Sequence, residues 1–226
     1  MRYQSWGIVL VVGLCGVDLT KADDAEDRAV AAIEKIGGKV ERDEKKPDKP
    51  VLRVHLSGTK VADEDLKKLA PLQSLSTLHL AGTEVTDAGL KKLAPLNKLI
   101  YLNLESTKVT DAGLMELAQL KSLTVLSLDS TSVTDMGLKE LTHFKTLTHL
   151  DLTNTNVTDV GLKNLAPLTE LTGLFLNRTK VTYAGLKELA QIKGLKTLGL
   201  AGTKMTDAGL KEVTQFKGIT FLNLNS

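Results

Sequence analysis

Two groups of polar residues have types and spacings that could support chemistry. His55 and His79 are 24 residues apart, and Ser127, His149 and Asp151 combine a hydroxyl, an imidazole and a carboxylate. Two histidines on neighbouring strands could share a metal ion, and a serine, a histidine and an aspartate together perform acyl transfer in many hydrolases. Either chemistry depends on the elements that hold these side chains.

Neither group has the other parts that its chemistry needs. A zinc site takes three or four protein ligands, and the pattern supplies no third ligand beside His55 and His79. The other three residues would lie on an open sheet without a pocket or an oxyanion donor. No phosphate loop, paired acid or cofactor motif stands out elsewhere. We therefore predict a non-enzymatic protein with no catalytic residue, no metal site and no cofactor.

The elements that carry these residues are repeated along the chain. Residues 51–218 form seven copies at a spacing of 24, and an eighth, partial copy runs from Ile219 to Ser226. The shared pattern is L-x-x-L-x-L-x-x-T-x-V-T-D-x-G-L-x-x-L-x-x-L-x-x. One apolar column comprises Leu56, Leu80, Leu104, Leu128, Leu152, Leu176, Leu200 and Leu224, and a second comprises Leu66, Leu90, Leu114, Leu138, Leu162, Leu186 and Leu210. Such repetition indicates a building unit.

Each unit changes its hydrophobic period halfway. Leu78 and Leu80 are two residues apart, as in a strand, whereas Leu90 and Leu93 are three apart, as in a helix. Thr86 precedes the second part and predicts a capping side chain at the helix start. The unit is therefore predicted to be strand, turn, short helix and return.

Two residues are expected to shape the helix ends. Asp87 places a negative charge at the helix start, where the helix dipole favours it. Pro95 is expected to disfavour helical geometry at Ala94 and to end the helix there.

Two columns, one of threonine and one of glycine, are predicted to have structural roles. The threonine hydroxyls are expected to bond backbone groups where the chain leaves the strand; these residues are Thr59, Thr83, Thr107, Thr131, Thr155, Thr179 and Thr203. Glycines from Gly89 to Gly209 at the repeat spacing are expected to allow close packing against the next coil.

Stacking the units would bury the leucine columns in one continuous core, which no single unit can form alone. The predicted fold is α/β: a curved solenoid with a parallel sheet on its inner, concave face and helices outside.

This pattern over residues 51–226 resembles the leucine-rich repeat superfamily. The stretch "VTDAGLKKLA" is most similar to the cysteine-containing class found in F-box proteins, although threonine replaces that class's cysteine at the strand exit. The chain also resembles exported bacterial proteins built from such repeats. The resemblance implies a right-handed superhelix with short convex helices, and a scaffold that binds protein on the concave sheet.

Before the array, the sequence predicts two segments. Residues 1–22 have a charged start at Arg2, an apolar run and a small-x-small site ending at Ala22, which favours a signal peptide. The apolar run is too short to span a bilayer, so no stable membrane insertion is expected after cleavage. Leu14 before Cys15 disfavours a lipid anchor at that cysteine. Residues 23–50 are predicted to form a helix-strand cap.

Composition bounds the partners. The net charge of +2 and a 25% charged fraction give no footprint of a nucleic-acid-binding protein. With a signal peptide, the protein would be periplasmic, secreted or part of the cell envelope.

The sheet-face columns vary between copies while the core columns do not. We predict that a protein or peptide contacts the residues of these columns that combine aromatic and charged side chains. They are Tyr101, Asn103, Glu105, Asp129, His149, Asp151, Phe175, Asn177 and Arg178.

Two alternatives remain at this point. The last strand carries Leu222 and Leu224 near an uncovered edge, which favours a spacer that self-associates through this strand. The repeat class favours an F-box-like adaptor for ubiquitin-ligase substrates if the protein is intracellular.

Overall fold

A parallel sheet runs the length of the array. The computed structural model describes residues 19–204, 213 and 216–225, with side chains from Asp24 onward. In these residues one nine-stranded sheet follows chain order: β1 (Lys39–Arg42), β2 (Val51–His55), β3 (Thr77–His79), β4 (Tyr101–Asn103), β5 (Val125–Ser127), β6 (His149–Asp151), β7 (Gly173–Phe175), β8 (Thr197–Gly199) and β9 (Phe221–Asn223).

Strand register follows the sequence repeat. β1 pairs with β2 antiparallel, and every later pair is parallel. Arg53 lies beside Thr77, Thr77 beside Tyr101, and the same column continues through His149 to Phe221. The predicted sheet-face columns within the strands are confirmed.

Short helices connect the consecutive strands from β2 to β8, and a longer helix precedes β1. The α-helices are α1 (Leu19–Lys35), α2 (Asp87–Leu90), α3 (Asp111–Leu117), α4 (Asp159–Leu162) and α5 (Tyr183–Leu189), and the 3₁₀ segments are Asp63–Leu69, Lys91–Leu93, Gly137–His143 and Lys163–Leu165. The predicted strand-helix unit and the leucine-rich repeat solenoid are confirmed. Leu210 and Gly209, which the sequence assigns to the last helix, lie outside the described residues.

The leucine columns form the core. Leu80, Leu104 and Leu152 from the strand side, and Leu90 and Leu114 from the helix side, are all 0% exposed. Burying one such side chain contributes about 1.5–3 kcal/mol, so each added unit extends the same apolar interior.

The threonine column is structural, as predicted. Each hydroxyl donates to the carbonyl oxygen three residues earlier, for example Thr83 Oγ1 to Leu80 O at 2.7 Å and Thr155 Oγ1 to Leu152 O at 2.6 Å. The same bond occurs in all seven copies: Thr59, Thr83, Thr107, Thr131, Thr155, Thr179 and Thr203. These bonds satisfy a carbonyl at the bend after each strand.

The expected effect of Pro95 on Ala94 is wrong. Ala94 keeps right-handed helical angles, with φ −51° and ψ −35°. The helix still ends here, but it first tightens into the 3₁₀ segment Lys91–Leu93. A proline ring clashes with the carbonyl four residues earlier in an α-helix, and a tighter turn avoids that contact.

An aspartate joins a repeat to the next at five successive junctions, and Tyr183 takes the aspartate's position in the sixth repeat. Asp87 does more than place charge at a helix start: its Oδ1 accepts from Thr110 N at 2.8 Å and its Oδ2 from Thr110 Oγ1 at 2.7 Å. Thr110 Oγ1 in turn accepts from Ala112 N and caps α3. We call this arrangement the aspartate clamp; it also links Asp63 to Thr86, Asp111 to Thr134, Asp135 to Thr158 and Asp159 to Thr182.

The glycine column makes room for these clamps. A Cβ at Gly113 would lie 2.4 Å from Asp87 Oδ1 and 2.8 Å from Leu90 Cδ1. The close approach is therefore to the preceding coil, and the expectation that the glycines pack against the next coil is wrong.

The N-terminal helix and β1 cover the start of the array. Ile33 is 0% exposed and Ala29 is 5% exposed within the core. Glu26 Oε1 accepts from Arg42 at 3.1 Å and from Val51 N at 2.9 Å, so it ties the helix to both neighbouring strands.

The signal prediction falls mostly on residues outside the described ones, as does Cys15. The division into residues 1–22, 23–50 and 51–226 remains a prediction, and a cleavage after Ala22 would fall within α1. None of the described helices has the length and hydropathy to cross a membrane.

Candidate functional site

A depression crosses the open face of the sheet from β4 to β7. Its volume is about 440 Å³. We call it the groove; its lining residues are Tyr101, Asn103, Glu105, Val125, Leu126, Ser127, His149, Leu150, Asp151 and Phe175. The lining comes from four consecutive repeats, so the groove exists only in the assembled array.

Two glycines let aromatic rings lie close to the sheet. A Cβ at Gly173 would lie 2.5 Å from His149 Cδ2, and one at Gly199 would lie 3.0 Å from Phe175 Cδ1. Each ring therefore covers the glycine of the following strand. Both aromatic side chains are held at the β7 side of the groove.

Polar side chains in the groove are partly used by local turns. Asn103 Oδ1 accepts from Glu105 N at 2.8 Å, and Asp151 Oδ1 accepts from Thr153 N at 2.9 Å. Burial raises the pKa of Asp151, and the nearby Asp129 carboxylate raises it further, against the lowering effect of the Thr153 bonds. The groove thus holds a carboxylate that its surroundings disfavour in the charged form.

Six of the nine residues predicted for the ligand surface line this groove: Tyr101, Asn103, Glu105, His149, Asp151 and Phe175. The other three lie outside the lining. Asp129 accepts from Ser130 Oγ at 2.7 Å. Asn177 is bonded within the sheet, since its Oδ1 accepts from Ala201 N at 2.9 Å and its Nδ2 donates to Thr153 at 3.2 Å. Arg178 is exposed at a left-handed bend, with φ 55°.

Sequence reasoning did not select Val125 or Ser127 as groove residues. Both are small enough to form a low floor between Tyr101 and Phe175. The repeat places both residues in the sheet-face columns. They contribute to the groove because their side chains are small and leave space above the sheet.

The two histidines form a stack, not a chelate. The rings of His55 and His79 are 4.7 Å apart with an interplanar angle of 12°, and His79 also contacts Tyr101 at 4.9 Å. Glu41 binds His55 Nε2 at 3.1 Å and Arg53 at 3.0 Å, and both bonds lower the pKa of Glu41. Stacked rings present their faces to each other, whereas metal ligation uses in-plane lone pairs. Among the described residues, no group of three or more metal-ligating side chains occurs.

We expect His79 to make the protein less stable in mild acid. Burial lowers the pKa of His79, helped by the nearby His55 and Arg53. The unfolded chain then binds the proton more readily, so stability falls as the pH drops below 6.5, the ordinary histidine value. Urea unfolding at about pH 7.5 and about pH 5 should show a smaller acid loss for His79→Gln than for the wild type. His143→Gln, away from the sheet, is the control; equal acid losses in the wild type and His79→Gln would contradict the assignment.

The three residues that could have formed a hydrolase set do not form its hydrogen bonds. Ser127 lies beside Asp151, and Val125 beside His149. His149 Nδ1 is bonded to Thr148 Oγ1 at 3.0 Å. No hydrogen bond joins Ser127 to His149 or His149 to Asp151 among the described residues. The histidine is therefore not placed to accept the serine proton, and the aspartate does not orient the histidine.

Comparison with known proteins agrees with the architecture. The family model described as Leucine Rich repeat matches residues 72–94, 96–118 and 145–166. An internalin C2 from Listeria monocytogenes shares the fold, with a TM-score of 0.61 and 22% sequence identity over 87% of this chain and 92% of that chain. No curated protein sequence matches the chain. The three matched segments are similar to leucine-rich repeats, and the architecture as a whole is a leucine-rich repeat solenoid.

Proposed function

We propose that the chain binds an extended protein segment or peptide in the groove. The observation that carries the proposal is a depression of about 440 Å³ on an otherwise regular sheet, with Tyr101, His149 and Phe175 around it. Aromatic side chains are enriched where protein interfaces concentrate their binding energy.

The groove suits a short segment. Strands in a sheet are about 4.8 Å apart, so three steps from β4 to β7 cover roughly 14 Å. About four residues of an extended chain cover the same length. A peptide lying across the strands could therefore contact Tyr101 at one end and Phe175 at the other.

Preorganisation also supports binding here. His149 lies over Gly173 and is hydrogen-bonded through Nδ1 to Thr148 Oγ1 at 3.0 Å, and Phe175 lies over Gly199, so both rings already pack against the sheet before a ligand arrives. Ordering a side chain during association costs about 0.5–1.5 kcal/mol, and a ring already held in place avoids much of that cost.

A displayed library of random heptapeptides, selected on the full-length chain, tests the proposal. The double variant Tyr101→Ala, Phe175→Ala should bind the selected peptides at least about tenfold more weakly, because each truncation removes an aromatic contact. Fluorescence anisotropy with synthetic peptides measures this change.

The matched control truncates exposed apolar side chains on the helix side. Met115 is 61% exposed and Val160 is 64% exposed. Met115→Ala, Val160→Ala should leave peptide affinity unchanged, and circular dichroism should show both double variants folded. Peptides that bind the wild type and the groove variant equally, or a library that yields no binder, would count against the proposal.

We further propose that binding takes place outside the cytoplasm. The support is the sequence of residues 1–22, with Arg2, the apolar run and the Ala22 site. N-terminal sequencing of protein from native cells should begin at Asp23, and an intact Met1 would refute export by cleavage.

A further inference from the structure

The groove is acidic. Glu105 and Asp151 line it, Asp129 lies close enough to raise the pKa of Asp151, and no lysine or arginine is among the lining residues. Over the part of the chain that the structure describes, the ion pairs include none made by Glu105, Asp129 or Asp151. His149 is the one lining group that could carry positive charge.

Elsewhere on the same face, the protein neutralises its own carboxylate. Glu41 is paired with Arg53 and His55 at the β1 end of the sheet. Unlike Glu41, the groove carboxylates have no ion pair with a basic side chain among the described residues, so their charge is available to a cationic ligand.

We propose that the segment bound in the groove presents a lysine or arginine side chain, and this inference rests on the proposed function. The cationic group lies between Glu105 and Asp151, and the alkyl stem contacts Tyr101. A basic side chain matches each part of the lining. Its alkyl stem suits aromatic and aliphatic walls, its charge suits two carboxylates, and a tyrosine ring attracts a cation over its face.

Asp151 provides an independent readout. Asn103 occupies the equivalent position in β4 and bonds its own turn with its side-chain oxygen, so Asp151→Asn should keep the turn. The folded state raises the pKa of Asp151 above its ordinary value of 3.8, so the unfolded chain loses this proton at lower pH than the folded protein does. The stability of the fold therefore falls as the pH rises from 3.8 through the pKa of the folded state. At neutral pH, Asp151→Asn should therefore melt at the same or a higher temperature while binding the basic ligand more weakly.

The test uses groove-dependent peptides from the heptapeptide selection. We expect lysine or arginine at one position, and replacing it with Nε-acetyllysine or citrulline should weaken wild-type binding about tenfold. Against the double variant Glu105→Gln, Asp151→Asn, the same replacement should have little effect. Glu170→Gln, an exposed acid outside the groove lining, is the control and should behave as wild type.

The outcomes separate the two proposals. Peptides that need Tyr101 and Phe175 but are indifferent to acetylation would overturn the cationic ligand and leave groove binding intact. Peptides that ignore Tyr101 and Phe175 would overturn both. Equal loss on acetylation in the wild type and in Glu105→Gln, Asp151→Asn would also overturn the assignment of the cation to these carboxylates.

Discussion

Gly113→Ala should lower the free energy of unfolding by about 2–4 kcal/mol, although alanine is the better helix former by about 1 kcal/mol. The new Cβ would lie 2.4 Å from Asp87 Oδ1 and 2.8 Å from Leu90 Cδ1. Relieving that contact requires Asp87 to move, which breaks or lengthens its bonds to Thr110 N and Oγ1. Chemical denaturation followed by circular dichroism measures the loss.

Two further variants identify the cause. In Asp87→Ala, Gly113→Ala the clamp is already absent, so the double variant should lose less stability than the sum of its single changes. Gly194→Ala is the matched control, since its Cβ would meet its nearest neighbour at an ordinary 3.5 Å. A neutral or stabilising Gly113→Ala would show that the clamp is not under steric control.

Asp135→Ala should lower the free energy of unfolding by about 2–3 kcal/mol, because Thr158 in the next repeat loses the acceptors of both its amide and its hydroxyl. Asp135 Oδ1 accepts from Thr158 N at 2.8 Å, and Oδ2 accepts from Thr158 Oγ1 at 2.6 Å. Thr158 also caps α4 through Val160 N, so the loss should extend to the start of that helix. Hydrogen exchange at the Thr158 and Val160 amides should accelerate.

Asp135→Asn is the informative comparison. An asparagine side chain still offers one oxygen to Thr158 N, and its amide can donate to the hydroxyl if that group reorients. We expect Asp135→Asn to lower the free energy of unfolding by about 1 kcal/mol or less. If Asn and Ala were equally destabilising, charge would matter more than the hydrogen bonds.

Much of the fold follows from the chain alone. Leu80 and Leu90 sit at fixed places in a repeat of constant length, and a solenoid is the way for every copy to bury both columns at once. Thr83 was also predictable, because a hydroxyl at a bend can bond to a backbone carbonyl close in sequence.

Contacts between repeats were harder to predict. Asp87 reads as a favourable charge at a helix start, and nothing within its own repeat reveals a partner 23 residues later. Gly89 suggests close packing, but the direction of that packing depends on where the neighbouring Asp63 side chain turns. Both features depend on the three-dimensional offset between adjacent coils.

The candidate surface was predictable only as a set of columns. Repeat spacing places Tyr101, Asp151 and Phe175 on one face, and the structure gathers them around a groove. Asn177 shares that face, yet its amide is used by Thr153 and Ala201. Which polar side chains are free and which are bonded depends on rotamers that a one-dimensional pattern does not contain.

The aspartate clamp repeats one pairing at five successive junctions, the aspartate of one unit with the threonine of the next, so a unit that has both residues complements another copy of itself. Duplicating or removing a unit that carries both residues, such as residues 75–98 with Thr86 and Asp87, would preserve the junctions on both sides while lengthening or shortening the exposed sheet. A change in the number of units would therefore change the length of the sheet face, and point substitutions in the sheet-face columns would change which ligand it selects.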